Sequence, residues 1–257
     1  MKRTPFLLLT LAFFAAPVTR AETSPGDEVK AAVQKLADAA NYSWTTTTTV
    51  PEGSRWRPGP TSGKTNKDGY SWLTSTMGER TVDSIVKAGK SVTKSDAGWQ
   101  TPEERRAARP GGGAPGGGGA GRGEGRAGRG GQGGPGGRNL ENFKTPAQQA
   151  EEMMGKVKEL KKEGDTIRGD LTEEAVKGLL TMGGRRRDGS EAPAPADAKG
   201  SVSFWLKDGA LVKMETHVSG TLSFNGNQMA IDRKSTTEIK DVGTTTLDVP
   251  EEAKSKL

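Results

Sequence analysis

The chain has 257 residues, one histidine, no cysteine and a formal net charge of +6, with a pI near 9.4. The missing cysteines exclude disulfides, a thiol nucleophile, thiolate-held zinc or haem, and a lipobox anchor. A hydrophobic fraction of 31% allows one thin core, and the basicity is local: residues 105–138 hold seven arginines against one glutamate, leaving the rest of the mature chain mildly acidic.

Lys2 and Arg3 precede an apolar run from Phe6 to Ala16, which Pro17 ends, and Thr19-Arg20-Ala21 places small residues at −3 and −1. That is the pattern of a cleavable secretory leader over residues 1–21, too short for the ~20 apolar residues of a spanning helix. A periplasmic or secreted protein is expected, folded as one domain over residues 22–257. Ser24-Pro25-Gly26-Asp27-Glu28 opens a helix, with a capping serine, proline in the first turn and acids at the positive end of the dipole. Val29, Ala32, Val33, Leu36, Ala37 and Ala40 continue it as one apolar stripe from about Asp27 to Ala40. Tyr42 to Val50 is β-branched and aromatic and reads as a strand, with Tyr42, Trp44 and Val50 on one face. The threonine run Thr45–Thr49 fits such a strand with one wet face. Gly63–Asn66 and Tyr70–Thr74 flank the turn Lys67-Asp68-Gly69, and Thr81–Ala88 and Ser91–Lys94 flank Gly89. Trp99 follows, just before Glu103-Glu104.

Seventeen of the 37 glycines lie between Gly111 and Gly137. Residues 105–138 are therefore read as a disordered Arg/Gly-rich insertion, and residues 185–200, rich in charge, alanine and proline, as a flexible loop. The insertion resembles RNA-binding RGG segments, but it has no aromatic residue and export separates it from cellular RNA. No nucleic-acid partner is expected, only a peripheral contact with anionic envelope surfaces. Thr145-Pro146-Ala147-Gln148 is a capping box that opens a helix carrying Met153, Met154 and Val157. Glu163-Gly164-Asp165 marks a short hairpin, and Thr172-Glu173-Glu174 starts a helix with Val176, Leu179 and Leu180. Ser201–Leu206, the turn Lys207-Asp208-Gly209 and Ala210–Phe224 make a hairpin with a long arm. On that arm Val212, Met214, Thr216, Val218, Leu222 and Phe224 share a face, and Gly220 is the position most suited to a bulge. Gln228–Lys240 and a short last strand over Gly243–Val249 complete an α+β order of helix, meander, helices and meander.

No catalytic, metal or cofactor constellation stands out. His217 shares the wet side of its strand with Lys213 and Glu215, no G-x-S-x-G elbow accompanies it, and the paired glutamates sit where helix dipoles and solvated faces attract them. The apolar inventory admits two readings. One is an ordinary filled core; the other is a cavity between sheet and helices suited to an acyl chain. The candidate cavity residues are Trp44, Trp72, Met153, Met154, Val212, Met214, Val218, Leu222 and Phe224.

Several stretches carry a family resemblance. They are the leader, the first helix ending in Ala40-Asn41-Tyr42-Ser43-Trp44, and Val202-Ser203-Phe204-Trp205-Leu206-Lys207-Asp208-Gly209. Leu211-Val212-Lys213-Met214-Glu215 and Val249-Pro250-Glu251-Glu252-Ala253 complete the set. Together they resemble the LolA-like superfamily of outer-membrane lipoprotein carriers and lipid-carrying lipoproteins. The resemblance implies a strongly curved antiparallel sheet, an incomplete barrel with helices on its concave side, sheltering a lipid or the acyl chain of a lipoprotein. The expected function is thus non-enzymatic binding by a monomer without cofactor. The alternative is a structural or partner-binding envelope protein with a filled core and the Arg/Gly-rich loop as its contact. N-terminal sequencing of exported protein is expected to begin at Glu22, and a mature form that keeps Lys2 would overturn the leader.

Overall fold

The computed structural model describes residues 23–54, 57–108, 140–181, 194–224 and 227–257. The expected leader, residues 109–138 of the insertion and the first part of the expected loop, to residue 193, lie outside the described residues. Helix α1, Pro25–Ala37, starts where the sequence puts it: the Ser24 hydroxyl accepts the Asp27 amide at 3.2 Å. Its stripe of Val29, Ala32, Val33 and Leu36 is buried. The helix stops at Ala37, short of Ala40, because the chain must turn there into β1, Asn41–Thr49.

Strands β2 (Thr61–Asn66), β3 (Tyr70–Met77), β4 (Arg80–Lys87), β5 (Lys90–Ser95) and β6 (Gly98–Gln100) follow as a meander of tight turns. A second meander contains β7 (Lys161–Glu163), β8 (Thr166–Asp170), β9 (Ala196–Lys207), β10 (Ala210–Phe224) and β11 (Asn227–Lys240). All pair antiparallel in one 11-stranded sheet of order β6-β5-β4-β3-β2-β1-β11-β10-β9-β8-β7. The two edges, β6 and β7, do not meet, so the sheet is open.

Helices α3 (Pro146–Met154) and α4 (Glu173–Thr181) lie with α1 on one face. A single core joins them to buried residues from Val86 on β4 through Tyr42, Trp44, Met214, Phe204 and Ile239 to Ile167 on β8. Laid flat, those eight strands would span roughly 34 Å at ~4.8 Å per strand. A helix is only ~10–12 Å thick. One helical layer can close that core only if the sheet curls around it. This is the expected α+β incomplete barrel with helices on the concave side.

The opposite face of β3–β6 has a second core, formed by Ile85, Val92 and Trp99 with Val249 and Ala253 from the C-terminal segment. That segment ends in the short helix α5, Glu251–Lys254. The Glu252 carboxylate accepts the Trp99 amide at 3.0 Å. Gly98 has φ +90°, a conformation that favours glycine, and a Cβ there would stand 2.5 Å from Glu252 Oε1 and push the carboxylate aside. The expected last strand over Gly243–Val249 is absent. This segment crosses the sheet's back without forming a ladder: one backbone bond, from the Gly243 amide to the Asn41 carbonyl at 2.8 Å, ties its start to β1, and side chains hold the rest, which period-two patterning does not distinguish from a strand.

Three further expectations need correction. Residues 105–107 belong not to the insertion but to α2, Pro102–Ala107, whose Thr101–Glu104 capping box is formed and whose Glu104 meets Lys256 at 2.9 Å. Residues 196–200 are not loop: they form the start of β9, because the long arm β10 offers a free edge that pairs Lys199 with Ser219 and Ala196 with Thr221. Finally, β10 carries a bulge between Leu211 and Lys213. The bulge takes Val212 out of phase, so Leu211 enters the core and Val212 is half-buried. A second irregularity lies opposite Gly220, as the sequence suggested, with the extra residue on β9 beside Asp197 at φ +53°. Beyond the first bulge the phase holds: Met214 and Val218 are buried. Met214→Asp is expected to lower stability by roughly 3–5 kcal/mol, the cost of a buried charge without a partner, measured by urea denaturation. An unchanged midpoint would mean that this face is not the core.

Candidate functional site

The concave layer is built around Trp44. In β2 its partner is Gly63, where a Cβ would lie 2.2 Å from the indole ring, so the missing side chain lets the ring lie across the sheet. Phe143 stacks on that ring at 6.2 Å and Tyr42 tilts against it at 5.7 Å. Burial pushes the Tyr42 phenol above its usual range, partly offset by hydrogen bonding with the Thr145 side chain and the Ala147 backbone. Met153 from α3, with Met214 and Val218 from β10, is buried in the same layer, and Met154 packs half-buried at its margin.

Toward the other end of β1 the same face becomes a floor of hydroxyls. Thr46 pairs with Thr237 at 2.9 Å, Thr48 with Ser235 at 3.1 Å, Thr61 with Ser75 at 3.3 Å, and Ser84 with Thr93 at 3.1 Å. This assigns the threonine run two jobs: even positions bond across the concave face, while Thr47 and Thr49 are exposed on the other. Along β10 and β11 the apolar character instead continues. Leu222 opposes Met229 and Gly220 opposes Ile231. Leu222 and Ile231 are half-buried, and Met229 is 55% exposed. Where this strip passes α4, the Arg233 guanidinium donates to the Leu179 carbonyl at 2.9 Å, at the helix's C-terminal turn, and burial lowers its pKa from the ordinary value.

The structure thus gathers Trp44, Met153, Met214 and Val218 in one layer, with Met154 and Leu222 at its edges. Trp72 does not join them. In β3 the core-facing positions are the odd ones, because Leu73 pairs with Gly63, which pairs with Trp44. Trp72 therefore lies on the convex face, edge-on to Trp99 at 5.3 Å. Alternation told which residues share a face but not which face a helix would cover. The side chain of Phe224 lies outside the described residues.

Three cavities lie among the described residues, and one of them reaches Trp44 and Trp72. One, of about 550 Å³, runs beside Phe143, Lys144 and Glu152, and one of about 340 Å³ beside Thr48 and Arg57. The third, about 620 Å³, is a groove on the convex face between β1–β4 and residues Thr246–Asp248. Its polar liners, Lys64, Thr74 and Asp83, come from separate strands at no diagnostic spacing, so sequence reasoning had no signal for them.

His217 sits on the outer face, hydrogen-bonded to Asp232 at 2.7 Å and in register with Lys234. Among the described residues no group of three His, Asp or Glu is placed to hold a metal, and no helix is long and apolar enough to cross a membrane.

No protein-family model matches the chain, and neither does any curated protein. Its fold is distantly similar to two solved mycobacterial structures. Lipoprotein LppX from Mycobacterium tuberculosis is 10% identical, with a TM-score of 0.44 over 88% of this chain and 98% of that one. LprF from Mycobacterium bovis is 8% identical, with a TM-score of 0.42 over 89% of this chain and 97% of that one. Neither likeness transfers a site residue or a ligand. An exposed ion pair adds little to stability, so His217→Ala is expected to leave Tm and any binding almost unchanged, and a large loss of either would give His217 a role that its position does not suggest.

Proposed function

We propose that the chain is an exported, non-enzymatic binding protein that takes a lipid or an acyl chain against the concave face of its sheet. The observation that carries this reading is the continuity of the apolar face along β10 and β11. Ile231 packs against the core, and the same face continues to half-buried Leu222 and exposed Met229. A ligand laid along that strip would extend the core and cover surface that is now wet, at roughly 25 cal/mol for each Å² of apolar area removed from water. The methionines of α3 and β10 are suited to repack around an acyl chain, since an unbranched thioether side chain changes shape at little cost. The leader pattern read in residues 1–21 supports export, and a site built from one chain is compatible with a monomer.

A second reading has its own observation. Met153, Met214 and Val218 are buried already, and they line none of the three cavities named above. A filled core of this kind fits a structural or partner-binding envelope protein, with the Arg/Gly-rich segment as its contact.

A fluorescent fatty acyl probe separates the two. Binding is expected to be saturable and to raise Tm by mass action. Leu222→Trp, at the half-buried margin, should abolish it without unfolding the protein, whereas Met153→Trp should overpack the core and cost ~1–3 kcal/mol. Lipid-free purified protein that shows no thermal shift with any lipid class would favour the filled core.

A further inference from the structure

The groove on the convex face has the composition of a site rather than of a packing defect. Two rows of side chains run across it. In one, Thr45 opposes Ser62, Ser62 opposes Thr74, and Thr74 opposes Asp83; in the other, Lys64 opposes Trp72. The segment Thr246–Asp248 closes one side, and Lys64 Nζ reaches its Thr246 carbonyl at 3.4 Å.

Asp83 is held in place by its neighbours. Its Oδ1 accepts the Thr74 hydroxyl at 2.7 Å and the Trp72 indole N–H at 3.3 Å. Oδ2 has no partner among the described residues. The same bond occupies the polar edge of Trp72 and leaves its ring for apolar contact beside Leu247. Lys64 keeps two of its ammonium protons without a described acceptor. The groove therefore offers a fixed acceptor, a donor, hydroxyls that can act as either, and an aromatic surface, within a volume suited to a small ligand.

We propose that this groove binds a neutral saccharide, with a pyranose unit set against Trp72. The mixture of signs selects that class. A phosphate or carboxylate would meet Asp83 and Asp248, and a metal cation would meet Lys64. A sugar hydroxyl satisfies both at once: it donates to Asp83 Oδ2 while another accepts from Lys64, and charge-assisted bonds of that kind are the strong ones. The C–H face of the ring supplies the contact that the indole and Leu247 can make. Thr45 and Ser62, half-buried and exposed respectively, line the open rim, so a longer chain could continue along the sheet.

The test is titration of the full chain with cellotetraose, maltotetraose and N-acetylchitotetraose, following the Trp72 indole resonance by NMR, assigned from Trp72→Phe. At least one sugar is expected to move that resonance saturably. Asp83→Asn keeps the acceptor for Trp72 and Thr74 but removes the charge, and should weaken binding about tenfold or more, by loss of a charge-assisted bond. Ser62→Trp alters an exposed rim position, so it should fold normally, fill the groove and abolish binding. Acyl-probe binding, on the opposite face, should survive both substitutions. Absence of a saturable Trp72 shift with all three sugars would overturn the assignment, and so would equal affinity in folded Ser62→Trp.

Discussion

The antiparallel seam between β1 and β11, from Ser43 opposite Lys240 to Thr49 opposite Lys234, is the constraint on which the rest of this structure depends. Each meander alone would be an open sheet with an apolar face too broad for the helices beside it. Joined at the seam they make one surface, and Trp44 and Ile239 stand opposite each other at its centre. Slipping the register by one residue would send Trp44 to the outer face. Hydroxyl pairs on both sides of the seam oppose that slip: Thr46 with Thr237, Thr48 with Ser235, and Ser43 with the Asp241 carboxylate at 2.8 Å. The run of five threonines is thus a registration device as much as a strand former.

Packing on β5 explains how the chain tolerates a long insertion. Helix α2 before it and the short turn Leu140–Asn142 after it both pack on β5. The ends of the insertion are therefore pinned close together, with Leu140 buried in the main core. Closing a loop between fixed, neighbouring ends grows costlier only with the logarithm of its length, so a tract of this size burdens the fold little.

Local chemistry was legible in the sequence. Ser24 and Thr145 cap helices, and Gly69, Gly89, Gly164 and Gly209 sit at positive φ in the turns between strands. The alternation on β10 put Met214 and Val218 inside and His217 outside. What escaped depends on contacts between distant segments. Trp72 faces away from Trp44 because of pairing through Gly63, a relation between three strands that no single strand records. Val212 lost its place to Leu211 through one bulge, and Ala196–Gly200 became strand only because β10 is long enough to pair with it. The C-terminal crossing was misread for the same reason: Leu247 and Val249 alternate like a strand but are fastened through side chains. Of the candidate cavity residues, the four in the inner layer were those whose strand phase was fixed by neighbours or whose helix stripe was unambiguous.

The C-terminal crossing changes what the sheet can do. An open antiparallel sheet normally buries one face and leaves the other to water. Here Glu252 tethers the crossing to Trp99, and Val249 and Ala253 bury Ile85 and Val92, so the convex side of β3–β6 is apolar too. This covering touches β1 and β2 at one end only, where the Gly243 amide donates to the Asn41 carbonyl at 2.8 Å and Lys64 to that of Thr246 at 3.4 Å. Between its edge and those strands Trp72 is buried on one side by Trp99 and left on the other beside Lys64 and Asp83. The polar groove is therefore a consequence of how far the C-terminal segment reaches, and the apolar strip at Met229 lies on the opposite face of the sheet. The chemistry left exposed differs, hydroxyl and charge on one face and methylene and thioether on the other, because strands of strict alternation carry two independent surfaces on one backbone.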